Sequence, residues 1–86
     1  MELAATIRDR LEDAFAVDTL EVVNESAHHA GHAGDDGSGQ SHWRVVLRSV
    51  DFAGVGRVQR HRMVHAALGD VVPRIHALAL DLDAPG

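Results

Sequence analysis

Two alternating segments with a helical pattern between them constrain the fold of this chain most. Residues 41–49 and 74–82 each alternate in a way typical of half-buried strands, and the residues between them repeat apolar side chains at helical spacing. A strand–helix–strand crossover of this kind is usually right-handed and leaves its two strands parallel. We therefore expect both segments in one sheet, with the helix lying across one of its faces.

The crossover between these strands begins with an apolar anchor, Phe52, followed by two glycines that bend the backbone, Gly54 and Gly56. The helix after them is predicted to bury one side. Its apolar positions are Val58, Val64, Leu68 and Val71. We expect it to end near Val72, because Pro73 cannot continue a helix and disfavours helical geometry in the residue before it.

The first half of the chain supplies a helix and another strand. Residues 2–15 carry apolar side chains at every fourth position, which predicts an amphipathic helix. Residues 19–24 alternate and are rich in β-branched residues, so they predict a strand antiparallel to 41–49 across a long loop, 25–40. With a tail at 83–86, residues 1–86 form one α+β domain, a three-stranded mixed sheet covered by helices on one face.

Charge and composition exclude several classes of function. Thirteen acidic residues against eight arginines give a net charge of −5, which argues against tight, non-specific nucleic-acid binding. Without cysteine, the chain supplies no disulfide, no thiolate nucleophile and no Cys-ligated metal site. Arg8, Asp9 and Arg10 interrupt the N-terminal segment, so we expect no signal peptide or membrane span and a soluble cytoplasmic protein.

A cluster of positive charge lies where the crossover helix begins. Arg57, Arg60 and Arg62 enclose His61, and His65 follows one turn later. Such a cluster after a glycine turn can hold an anion, a nucleic-acid backbone or an acidic partner, or its arginines are merely solvated. His61 and His65 are four residues apart, but there is no HExxH motif and the neighbouring arginines repel a cation.

The remaining histidines allow a metal site. By strand parity His76 shares a side with leucines, so it is either a core histidine bonded to a backbone carbonyl or a metal ligand. A second ligand would come from a partner or from the loop, where His28, His29 and His32 form a weak metal-binding tract. No serine lies in a nucleophile elbow and no dinucleotide fingerprint is present, so we do not expect an enzyme.

Four segments together resemble the BolA family. They are NESAHH at 24–29, SHWRV at 41–45, the Phe52-x-Gly54 turn leading into an RHR-containing helix, and IHAL at 75–78. The resemblance runs from about residue 11 to residue 82. It implies the αββααβ fold of that family, which is similar to a class II KH domain, in agreement with the order of elements expected from periodicity.

The resemblance also implies a non-enzymatic adaptor in iron–sulfur cluster trafficking or iron homeostasis. Such proteins pair with a monothiol glutaredoxin and share a 2Fe–2S cluster, to which the glutaredoxin and glutathione supply thiolates. The ligands on this side would be His76 and, by the NES-x-x-H register, His29. Because the loop is longer than in most relatives, His28 and His32 are alternatives to His29.

Some members of the family are described as DNA-binding transcriptional regulators, which is the alternative function. The contact would then be the turn and helix at 54–62. Its candidate residues, for DNA or for a protein partner, are Gly54, Gly56, Arg57, Arg60, His61 and Arg62. A homodimer is a further assembly compatible with the sequence.

Overall fold

Two α-helices and three strands make up the fold of the computed structural model, which describes residues 3–25, 42–75 and 77–86. The elements are listed here in chain order. They are α1 (Leu3–Ala14), β1 (Val17–Asn24), β2 (His42–Ser49), a first 3₁₀ turn (Val50–Phe52), α2 (Arg57–Leu68), a second 3₁₀ turn (Gly69–Arg74) and β3 (Ala77–Asp83). The expected order of elements is confirmed, with the first 3₁₀ turn as the predicted short helix or turn. The predicted loop 25–40, apart from Glu25, lies outside the described residues.

The sheet is mixed and has the strand order β1-β2-β3. β1 is antiparallel to β2, and β3 is parallel to β2, as the crossover pattern predicts. Leu20 lies opposite Leu47, and Val45 lies opposite Leu80, so apolar side chains of all three strands share one face. α1 and α2 cover that face, and their apolar side chains join those of the strands in a single core cluster.

The core contains the apolar positions that the periodicity selects on α1. Ile7 and Leu11 have no exposed surface, and Leu3 and Phe15 are buried at the two ends of this stripe. Phe52 is fully buried, and its ring centroid lies 5.1 Å from that of Phe15. The predicted apolar anchor therefore attaches the start of the crossover to the end of α1.

The turn before α2 needs glycine at one of its two positions. Gly54 has φ +72°, a left-handed conformation that side-chain-bearing residues rarely adopt. Gly56 has φ −67° and is the N-cap residue of α2, so its backbone conformation is open to other residues. Because α2 begins at Arg57, the basic cluster lies within the first two turns of the helix rather than ahead of it.

The predicted apolar side of α2 was wrong at Val58. Val64, Leu68 and Val71 are fully buried, whereas 66% of the Val58 surface is exposed. Val64 follows Val58 at a spacing of six residues. At about 100° per residue, the two side chains point roughly 240° apart around the helix axis. Val58 therefore lies on the side of α2 that faces away from the core.

α2 ends four residues before the predicted position. Gly69 takes a positive φ of +53°, and the chain continues as a 3₁₀ turn that contains Pro73. The Leu68 carbonyl at this end accepts a hydrogen bond from Arg10 Nη1 at 2.8 Å. β3 also begins later than predicted, at Ala77, and Ile75 is half-buried against the core in the bend before it.

Candidate functional site

Three strand ends meet at one edge of the sheet. Asn24 at the end of β1 lies opposite Trp43, and His42 at the start of β2 lies opposite Ala77 at the start of β3. The Glu25 amide continues the contact by donating to the His42 carbonyl at 2.9 Å. We call this the strand-end edge.

The strand-end edge contains the residues that flank the predicted metal ligands in sequence. His28, His29, His32 and His76, the four candidate metal ligands, lie outside the described residues. Their chain neighbours are described, however. Glu25 and His42 flank the segment with the three loop histidines, and Ala77 directly follows His76. The topology thus brings the flanks of both predicted ligand positions to the same edge.

His42 adds an imidazole to this edge that the sequence reasoning did not select. It alternates along β2 with Trp43 and so shares a strand side with Arg44, yet only 7% of its surface is exposed. A histidine on the sheet face opposite the helices would ordinarily be solvated. The sequence signal was its position as the first residue of a strand directly after the histidine-rich loop.

The donor set of this chain decides how it can take part in metal binding. The 86 residues include no cysteine, and no three His, Asp or Glu side chains gather into a possible metal site within 3–25, 42–75 and 77–86. Iron–sulfur clusters are held mainly by thiolates, with histidine replacing cysteine in some centres. A chain with histidines and no cysteine could therefore take part in such a centre only beside thiolates that come from another molecule.

The second feature is a groove of about 350 Å³ along the outer side of α2. We call it the α2 groove; its lining residues are Arg57, Val58, His61, Arg62 and His65. Spacings of three and four residues place Val58, His61 and His65 on one side of the helix. The structure thus brings together three of the residues predicted to bind a partner or nucleic acid, Arg57, His61 and Arg62.

Arg60, from the same predicted set, is occupied within the fold. Its Nε donates to the Val55 carbonyl at 2.8 Å, and its Nη1 donates to the Leu82 carbonyl at 3.0 Å. Nη1 also forms an ion pair with Asp83 at 3.2 Å, and the side chain is only 20% exposed. Arg60 therefore joins the glycine turn, α2 and the end of β3. The predicted residues Gly54 and Gly56 lie in the exposed turn just before the groove.

The first turn of α2 and the strand-end edge lie toward opposite ends of β3. Arg60 holds the first turns of α2 against Leu82 and Asp83, whereas the strand-end edge is at Ala77. At about 3.3 Å per residue, the five steps from Ala77 to Leu82 span roughly 16 Å. The α2 groove continues from that turn along the outer side of α2, away from the core, so it and the strand-end edge are different surfaces.

Sequence comparison relates the chain to an uncharacterised bacterial protein and to proteins with BolA in their names. It is 47% identical over 88 residues to an uncharacterised protein of the cobS 5′ region of Sinorhizobium sp, covering 100% of this chain and 95% of that protein. It is 44% identical to human BolA-like protein 1, over 94% of this chain but only 57% of the human protein. The DNA-binding transcriptional regulator BolA of Escherichia coli is 40% identical, with 93% of this chain and 73% of the regulator covered.

Solved structures give the same assignment. BolA1 from Arabidopsis thaliana superposes with a TM-score of 0.85 at 31% identity, covering 99% of this chain and 94% of that one. The BolA domain of SufE1 from the same plant has the same TM-score at 30% identity and the same coverage. The family model described as BolA-like protein matches residues 11–86. The chain therefore belongs to the BolA-like protein family.

Proposed function

We propose that this chain is a non-enzymatic adaptor that pairs with a monothiol glutaredoxin and shares a 2Fe–2S cluster at the strand-end edge. The observation that carries this proposal is the meeting of Glu25, His42 and Ala77 at one edge, in a chain without a thiol. The proposed cellular role of the adaptor is iron–sulfur cluster trafficking or iron homeostasis in the cytoplasm, where glutathione keeps thiols reduced.

The proposed ligands on this side are His76 and His29, with His28 and His32 as alternatives to His29. The glutaredoxin and glutathione supply the thiolates, and imidazole ligation in place of thiolate raises the reduction potential of such a cluster. The task of this chain is to present neutral imidazole nitrogens at the edge and to bring the two proteins together.

Ser49, a serine that the structure describes, is engaged within the fold. The hydroxyl of Ser49 is fully buried, accepts a hydrogen bond from the Asp51 amide at 3.1 Å and contacts the Asp51 carboxylate at 3.3 Å. It caps the first 3₁₀ turn and is engaged by Asp51 inside the fold, so it is not positioned as a nucleophile.

Co-expression with a monothiol glutaredoxin tests the proposal. We expect a coloured heterodimer whose visible absorption and circular dichroism change on His76→Ala, because another ligand must replace the imidazole. His65→Ala, which removes an exposed imidazole from α2, is the matched control and should leave the spectrum unchanged. Single alanine variants of His28, His29 and His32 identify the loop ligand. An identical spectrum for wild type and His76→Ala would reject His76 as a ligand.

A DNA-binding regulator is the alternative proposal, because the Escherichia coli relative is named as one. The contact would be the turn and helix at 54–62, where α2 contributes three arginines and no acidic residue. Retardation of a duplex at about 150 mM salt, weakened by Arg57→Ala and by Arg62→Ala, would support it. The net charge of −5 and the internal bonds of Arg60 favour the adaptor.

A further inference from the structure

The α2 groove combines an exposed valine and two imidazoles with two arginines beside them. Val58 is 66% exposed there, although valine is among the residues most often buried in folded proteins. His61 and His65 continue the stripe over two turns, a length of about 10 Å at 1.5 Å per residue. Arg57 and Arg62 lie beside this stripe, and both are exposed.

The charge of α2 is opposite to that of the rest of the chain. α2 contains three arginines and no acidic residue, so it carries +3, and the remainder must carry −8 to give the total of −5. Within the described residues, the arginine ion pairs are those of Arg10, Arg48 and Arg60. The guanidinium groups of Arg57 and Arg62 are therefore available to an acidic ligand.

We propose that the α2 groove binds an acidic amphipathic helix of a protein partner. The apolar side of that helix would pack on Val58 and the two imidazoles, and its acidic residues would lie against Arg57 and Arg62. Val58, His61 and His65 are spaced by three and four residues, which matches the period of a second helix packed alongside.

A protein partner fits the groove better than nucleic acid. The exposed Val58 side chain gives nothing to a phosphate backbone, whereas it contributes buried apolar area against a helix. Two available arginines neutralise about two phosphates, which is too few for tight binding at physiological salt. The charge of −8 on the rest of the chain also repels a polyanion, while a short acidic helix contacts only the basic surface.

This partner is a second one, beyond the glutaredoxin of the proposed function. The α2 groove begins near Arg57, at the Leu82 end of β3, and lies on the side of α2 that faces away from the core, whereas the strand-end edge is formed by the first residues of β2 and β3. We infer that the adaptor can hold one protein at each surface. Binding at the groove needs neither cluster nor glutaredoxin, so it is testable on the chain alone.

The probe is a fluorescein-labelled Glu/Leu/Ala amphipathic peptide of about 16 residues, titrated with the purified chain and followed by anisotropy. Val58→Ala should weaken binding about fivefold, and Arg62→Glu about tenfold with a reduced salt dependence. Val50→Ala removes the same methyl groups from a valine 62% exposed elsewhere, and Arg44→Glu reverses an exposed charge on β2. Both controls should stay within about twofold of wild type.

Comparison ligands decide between partner classes. A scrambled peptide of the same composition should bind at least about tenfold more weakly, because it cannot form one apolar side. The proposal is overturned if the chain does not bind the amphipathic peptide, if the Val50 and Arg44 controls weaken it as much as the groove variants do, or if a duplex of about 20 base pairs binds more tightly.

The same titration on the iron-loaded glutaredoxin heterodimer tests the two-partner inference. We expect the peptide affinity to stay within about twofold of that of the chain alone, since the surfaces are separate. Competition between peptide and glutaredoxin would show one shared surface and overturn the inference of a second partner. Failure of the heterodimer to form would count against the proposed function, and the titration of the chain alone would still decide the groove proposal.

Discussion

At the scale of single residues, Arg60 shows how a charged side chain can belong to the fold rather than to a binding surface. Its guanidinium connects the Val55 carbonyl, the Leu82 carbonyl and the Asp83 carboxylate, which belong to three separate parts of the chain. Arg57 lies one turn earlier and is exposed. Two arginines of the same basic cluster therefore have different roles.

Replacing Arg60 should cost stability, whereas replacing Arg57 should not. We expect Arg60→Ala to lower the free energy of unfolding by about 2 kcal/mol, because charge-assisted hydrogen bonds to two carbonyls are lost in a partly buried site. Arg57→Ala, the matched control, should stay within about 0.5 kcal/mol of wild type. Urea unfolding of both variants measures the difference, and equal midpoints would contradict the structural role of Arg60.

At the scale of elements, the end of α2 is fixed by a contact with α1. Arg10 donates to the Leu68 carbonyl and to the Asp70 carboxylate, both at 2.8 Å. The hydrogen bond and charge of Arg10 lower the pKa of the Asp70 carboxyl below its ordinary value. A lowered folded-state pKa means that this contribution to stability is complete above the unfolded-state pKa and is lost as the pH falls through the folded-state value.

The pH dependence of unfolding should therefore change in Asp70→Asn. The variant should unfold more easily than wild type near neutral pH, and the difference should shrink as the pH falls below about 4. The effect is small, because the carboxylate is exposed and screened by solvent. Urea midpoints measured from about pH 7 to pH 2 check it, and a constant difference over this range would exclude the Arg10 contact as its source.

Periodicity predicted most elements, but it could not predict contacts distant in sequence. The four-residue repeat of α1 and the alternation of β2 gave the correct buried faces. The end of α2 was misplaced because Gly69 and Arg10 set it together, and no apolar pattern records a partner 58 residues away. The bonds of Arg60 to Leu82 and Asp83 could not be predicted for the same reason. The sequence therefore predicted Arg60 as a binding residue in the same way as Arg62.

At the scale of the whole molecule, one small core carries the sheet and both helices. Phe52 lies where these parts meet, fully buried and in contact with Phe15 at the end of α1. A domain of this size is stabilised by only about 5–15 kcal/mol, so one large cavity removes a substantial part of that free energy of unfolding.

Neither helix in the described part of the chain has the length and apolar character that crossing a membrane requires.

Phe52→Ala should remove much of the stability of the domain. We expect a loss of about 3–5 kcal/mol, from lost apolar burial and from the cavity left beside Phe15. Phe52→Leu fills most of the same volume and should cost roughly 1–2 kcal/mol. Thermal and urea unfolding followed by circular dichroism give both values; a loss for Phe52→Ala no larger than that for Phe52→Leu would contradict the anchoring role.

The parallel pairing of β2 with β3 has a consequence for how the chain reaches its native state. Val45 and Leu80 meet in the sheet, but the entire crossover separates them in sequence. Closing so long a loop costs entropy before any contact compensates for it, and non-local pairing slows folding. During synthesis, β1 and β2 can pair before the crossover has been made, whereas β3 can pair only after the whole crossover has left the ribosome. Until then the apolar side of the sheet is exposed to aggregation or to a chaperone.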